Sequence, residues 1–183
     1  MSIRPNEQAQ AQIDVFLFGL LRTIRAVLPH MRDQRSGKII NMSSSAATLA
    51  LPFVGFYSAG KYAMAGLSES LRREVMGFNI WVSYLEASAF RTNAANEVIV
   101  AADRIEDYSP LRDNAIHDFQ QAIHSGKDPK MVAKTVEKII KTKKPKLLYR
   151  VDSQAKMLSL LKAFTPRRAQ DVVFEGYAKA RGG

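Results

Sequence analysis

Tyr57 and Lys61 stand four positions apart in Tyr57-Ser58-Ala59-Gly60-Lys61, and on a helix residues at that spacing lie one above the other. A phenol and an ammonium so placed can share one site, where the positive charge favours the phenolate by Coulomb attraction. Upstream, Ser44 lies in Ser43-Ser44-Ser45, directly after the isoleucine-rich run Lys38-Ile39-Ile40-Asn41-Met42. That run reads as a buried strand, so Ser44 falls in the loop at the strand's C-terminal end, where parallel-sheet proteins place ligands. Three polar groups can therefore converge. Singly, each has a plainer reading: serines after strands satisfy backbone groups, and a tyrosine opening a helix packs against its neighbours.

The elements needed to position these groups are legible. From Ala11 to Met31, Leu17, Leu20, Leu21, Ile24, Val27 and Leu28 keep helical spacing, and Gly37 marks the exit turn. Pro52 and Gly55 lead into a second helix over Tyr57 to Met76, with Met64, Leu67, Leu71 and Val75 as its buried stripe and Gly77 as its stop. Asn79 to Glu86 reads as a strand, Pro129 to Thr142 as a helix and Lys146 to Arg150 as a third strand. Phe90 to Gly126 is polar, without a strand pattern, and is expected to hold two irregular helices. Helices and strands alternate as in a parallel α/β sheet. Met157, Leu158, Leu161 and Phe164 fall on one side of a tail helix over Gln154 to Phe164.

Composition narrows the function classes. With 46% hydrophobic and 24% charged residues, the 183-residue chain is neither disordered nor fibrous. The absence of cysteine excludes disulfides, thiolate catalysis and Cys-based zinc sites, and suits a reducing cytoplasm. His30, His117 and His124 lack partners at ligand spacing, so no metal is expected. No apolar run is long enough to span a bilayer, and the N-terminus lacks a signal-peptide pattern. The formal charge of +10 raises nucleic acid or anionic membrane as partners. Much of it lies on Lys130, Lys134, Lys138 and Lys141, which recur at helical spacing opposite Val132, Val136, Ile139 and Ile140 and read as a solvated face. The basic region lacks interleaved aromatics, so no nucleic acid is expected, and membrane contact by the basic tail is the lesser reading.

Taken together, Lys38-Ile-Ile-Asn-Met-Ser-Ser-Ser-Ala-Ala, Leu51-Pro52-Phe53, Tyr57-x-x-x-Lys61 and Gly66-Leu67-x-x-Ser70-Leu71-Arg72-x-Glu74 resemble the short-chain dehydrogenase/reductase family. The resemblance runs from about Gln8 to Arg150, with 151–183 as a helical C-terminal tail, and residues 1–183 read as one domain. It implies the C-terminal half of a Rossmann-like, doubly wound parallel sheet with flanking helices. It also implies hydride transfer between NAD or NADP and an apolar alcohol or carbonyl, approached past Leu51, Pro52, Phe53, Val54 and Phe56. Tyr57 would be the general acid or base, its pKa lowered by Lys61, which would also hold the nicotinamide ribose; Ser44 would bind the substrate oxygen. Thr92, in Leu85-Glu86-Ala87-Ser88-Ala89-Phe90-Arg91-Thr92, would contact the nicotinamide carboxamide. A homodimer through the two long helices is implied as well.

Three departures stand against this pattern. The family's opening strand and glycine-rich turn, which hold the pyrophosphate, are absent, so the sequence reads as a truncated catalytic half and does not disclose NAD against NADP. Phe16 stands where the family has Asn in an Asn-x-x-Gly pattern ahead of Gly19 that completes a water relay to the lysine, and Ala87-Ser88 replaces Pro-Gly. The alternative reading is a catalytically silent fragment serving as an interaction or dimerisation module, its sheet left with an unpaired edge at Lys38 to Met42.

Overall fold

The structure is a computed structural model that describes residues 6–96 and 105–182. The first long helix begins earlier than its apolar spacing implies and is not regular. Helix α1 (Asn6–Ile13) passes through a π-helical segment (Asp14–Gly19) into α2 (Leu20–Asp33). A π segment inserts an extra residue into the turn, which re-aims the side chains it carries. Arg22 spans it, gripping both carboxylate oxygens of Asp14 at 3.0 and 2.7 Å.

Strand β1 (Gly37–Met42) follows, then helix α3 (Gly55–Val75), strand β2 (Ile80–Glu86), helices α4 (Ser109–His124) and α5 (Lys130–Lys141), strand β3 (Leu148–Arg150), and helices α6 (Ser153–Phe164) and α7 (Arg167–Gly182). The order in the sheet is β1-β2-β3, and both pairings are parallel. Gly37 faces Ile80 and Met42 faces Leu85, while β3 meets only the end of β2, from Tyr84 to Glu86. The third strand is therefore three residues, not the five that its sequence implied.

Gly77 does not end the second helix alone. A 3-10 turn (Met76–Phe78) follows α3, and Asn79 takes the left-handed conformation (φ 58°) before β2 begins. Asparagine tolerates that region better than most side chains. Among the described residues between Phe90 and Gly126 the chain forms two 3-10 turns and one regular helix, α4; residues 97–104, part of the stretch expected to hold two irregular helices, lie outside the described residues. Phe90 also makes a parallel bridge to Lys127, although no strand pattern marks it. Gly126 permits that approach, since a Cβ there would sit 2.7 Å from the Phe90 carbonyl carbon.

The core lies between the sheet and the two long helices. Ile24 of α2, Ile39 of β1, Leu71 and Val75 of α3, and Ile80 and Val82 of β2 form one buried cluster, with Leu20, Val27, Leu28, Met31 and Leu67 packed against it. Arg72 fastens α3 to the sheet by donating to the carbonyl oxygens of Val82 (2.6 Å) and Pro145 (2.7 Å). On the far side Ile139 of α5 is fully buried, while Lys130, Lys134, Lys138 and Lys141 are exposed as a solvated face should be. Ile140 is exposed as well.

At the other end, Asp152 caps α6 by accepting from the Gln154 and Ala155 amides, and its buried carboxylate also receives Lys127 (2.8 Å) and the Ser88 amide and hydroxyl. Met157, Leu160, Leu161 and Phe164 of α6 face outward. Helix α7, beyond the tail helix read from the sequence, is tied to α4 through Tyr177 and Arg181 on Asp118.

Candidate active site

Parallel pairing sets the loop after β1 beside the end of β2, and backbone bonds continue the ladder past the strand. The Ser43 amide donates to Leu85 O and the Ser45 amide to Ala87 O, each at 2.9 Å. Ser44 is thereby held in an extended conformation as the N-cap of a 3-10 turn (Ser45–Ala47), its hydroxyl oxygen accepting from the Ala46 amide at 3.2 Å. Against it lies the start of α3. The buried Ser43 hydroxyl donates to Lys61 O, and Asn41 donates to Ser68, which in turn donates to Met64 O. Strand and helix are thus linked by side-chain bonds along the site's length.

Within this frame Ser44 lies near enough to Tyr57 to favour its phenolate. Burial pushes the Tyr57 phenol above its ordinary value, and Ser44 offsets this only in part. The lowered phenol implied by the resemblance is therefore not found: desolvation wins, although Lys61 Nζ stands 5.6 Å from the centre of the Tyr57 ring. Lys61 is itself buried, 9% exposed, and its ammonium donates to Met42 O at 2.9 Å. Burial brings its pKa down to about 8.

Aromatic rings complete the walls. Phe16, from the π segment, meets Tyr57 edge-on with centroids 5.6 Å apart, and its face lies 4.4 Å from Lys61 Nζ. Phe119 of α4 approaches the other side of Tyr57 at 6.4 Å. Neither contact was legible from local pattern, because both join segments far apart in sequence.

The structure thus brings Ser44, Tyr57 and Lys61 together. Thr92 stands apart: it is exposed, and its side chain caps the 3-10 turn Asn93–Ala95 by accepting from the Ala94 amide. Ala87-Ser88 has a structural use, with Ala87 O receiving Ser45 and Ser88 bonding Asp152. Leu51 is exposed, and Phe53, held at φ 62°, packs edge-on against Tyr108. Phe56 lines a cavity of about 610 Å³ shared with Ala9, Ile13 and Phe18. Among the described residues no group of three or more His, Asp or Glu is placed to hold a metal ion, and no helix is long and apolar enough to cross a membrane.

The chain belongs to the short chain dehydrogenase family, whose profile matches residues 2–102. It is 31% identical over 147 residues to the 3-ketodihydrosphingosine reductase of Bacteroides thetaiotaomicron, a match covering 79% of this chain and 55% of that protein. Among solved structures, a short-chain dehydrogenase from Streptomyces avermitilis matches with a TM-score of 0.75 at 26% identity, over 96% of this chain and 64% of its own. A short chain dehydrogenase/reductase from Burkholderia phymatum in complex with NAD matches with a TM-score of 0.67 at 25% identity, over 89% and 58%. The chain spans about half the length of the curated relatives it matches.

Proposed function

We propose that this chain carries the catalytic half of a nicotinamide-dependent oxidoreductase that acts on an apolar alcohol or carbonyl compound. The observation that carries the reading is the convergence of Ser44, in the loop at the C-terminal end of a parallel strand, with Tyr57 and with Lys61 one helical turn on, whose Nζ lies 5.6 Å from the Tyr57 ring centre and on Met42 O. The name of the Bacteroides relative, 3-ketodihydrosphingosine reductase, supports a carbonyl substrate.

The donor set fits the nicotinamide end of such a cofactor: two hydroxyls and an ammonium suit ribose hydroxyls and a reacting oxygen. NAD in the Burkholderia neighbour supports the class, and NADP is equally admitted by the chain's own residues. When bound, the cofactor supplies the hydride. Ser44 then holds the substrate oxygen, and Tyr57, kept protonated by burial, gives it a proton as negative charge develops there. Lys61, charged at neutral pH, stabilises the phenolate left behind. Thr92 is assigned to the carboxamide by resemblance alone.

Residues 1–183 are proposed as one domain, working in the cytoplasm. A homodimer through α2 and α3 is supported by Val15, Phe18 and Tyr62, which are exposed on these helices and the adjoining π segment. Titration of the purified chain with NADH and NADPH, followed by nicotinamide fluorescence, tests the reading, with Tyr57→Phe as the turnover control. Binding and Tyr57-dependent turnover are expected; a folded chain that binds neither cofactor overturns it.

The silent-fragment alternative is favoured by one observation: β1 pairs on one side only within the described sheet. A chain that dimerises in size-exclusion chromatography without binding cofactor would support it.

A further inference from the structure

We propose that Phe16 is a positioning residue for Lys61: the π segment delivers its ring into the slot left open by Gly60, where it seats the ammonium against the Met42 carbonyl.

Three observations meet at this ring. Lys61 Nζ sits 4.4 Å from its centroid, within cation–π range, while donating to Met42 O at 2.9 Å. Phe16 also holds Tyr57 edge-on at 5.6 Å and 79°, so one ring fixes both functional side chains relative to each other. The fit depends on a missing side chain, since a Cβ on Gly60 would come within 2.6 Å of Phe16 Cδ2. An ammonium removed from water needs its charge met. Here a carbonyl oxygen and the faces of Phe16 and Tyr57 meet it.

Charged groups on the surrounding elements have other partners: Asp14 with Arg22, Glu86 with Arg150, Glu69 with Arg73, Glu74 with Ser70, Lys38 with Ile140 O and Arg72 with Val82 O, while Glu7 lines the outer cavity. Tyr57 is the titratable neighbour. A ring that merely filled space could be exchanged for another apolar side chain without effect on Lys61. A ring that seats the charge could not.

The test follows the Lys61 side chain by lysine-ε NMR against pH in the 183-residue chain, the resonance assigned with Lys61→Met. The midpoint is expected near 8. Phe16→Leu, apolar but without a π face, is expected to lower it by about half a pH unit or more, because the charged form loses its partner. Phe16→Tyr is expected to restore it. Gly60→Ala, which displaces the ring while leaving Phe16 and Lys61 in the sequence, is expected to lower it too and carries the test if Phe16→Leu does not fold. A midpoint unchanged or raised in Phe16→Leu or Gly60→Ala, with helical circular dichroism retained, overturns the inference. The inference rests on the proposed site for its bearing on turnover, yet the titration needs no cofactor. A chain that shifts as expected but never turns over keeps this inference and loses that reading.

Discussion

The Lys61 ammonium donates to the Met42 carbonyl oxygen at 2.9 Å, joining the site helix to the last residue of strand β1. The Lys61 side of the bond is buried, so the same contact that positions the charge also exposes it to a desolvation cost.

That cost makes stability depend on pH. The pKa of Lys61 falls from 10.5 to about 8 on folding, so between these values the unfolded chain binds more protons and stability rises with pH. Lys61→Met removes the dependence. The stability of the parent chain relative to Lys61→Met is expected to increase by up to about 3 kcal/mol from pH 7 to pH 10.5, measured by urea unfolding at each pH. A constant difference across the range would contradict the burial of the charge.

Tyr57 is held protonated past the ordinary tyrosine value, again by burial. Subtracting the ultraviolet titration of Tyr57→Phe from that of the parent should isolate one phenol ionising above pH 10. Its contribution to stability, present below that pH, is lost as the pH rises further. In a turnover assay the same substitution is expected to lower the rate by about 10²- to 10⁴-fold, the usual contribution of a positioned proton donor.

Asp152 gives the opposite sign. Burial alone would raise its pKa, but bonds from Lys127, Ser88 and Ala155 outweigh it and bring the value from 3.8 to about 2. Stability from this group is present above pH 4 and lost toward pH 2, by about 2 kcal/mol. Asp152→Ala should cost about 3 kcal/mol at pH 7, since it uncaps α6 and leaves Lys127 and Ser88 without their partner. Thermal melts at pH 7 and pH 3 check both statements, and a loss at pH 7 below 1 kcal/mol would refute the second.

Gly126 allows Phe90 and Lys127 to pair. A Cβ at Gly126 would meet the Phe90 and Arg91 backbone at 2.7 to 2.8 Å, and backbone cannot rotate away as a side chain can. Gly126→Ala is therefore expected to cost about 1–3 kcal/mol, whereas Gly66→Ala, with open space around it, should be neutral or stabilising. Equal melting temperatures for the two variants would contradict the close approach.

Local sequence by itself determined the long helices, the strands at Lys38–Met42 and Asn79–Glu86, and the spacing of Ser44, Tyr57 and Lys61. These are properties of near neighbours, written in apolar periodicity and in a four-residue repeat along one helix. Tertiary structure alone decided the rest. The π segment depends on how the first helix packs against α3, the Phe90–Lys127 bridge on a glycine whose partner lies 36 positions away in the chain. The same holds for the shifted pKa values of Lys61 and Tyr57, because desolvation is set by everything packed around a group and not by its adjacent residues. Phe16 shows the division most clearly. The resemblance marks it as a departure at a position tied to the lysine, while local periodicity makes it one more apolar residue on a helix; in the fold it lies over Lys61. The ammonium's partner comes from a segment 45 positions earlier, and no local pattern records that distance.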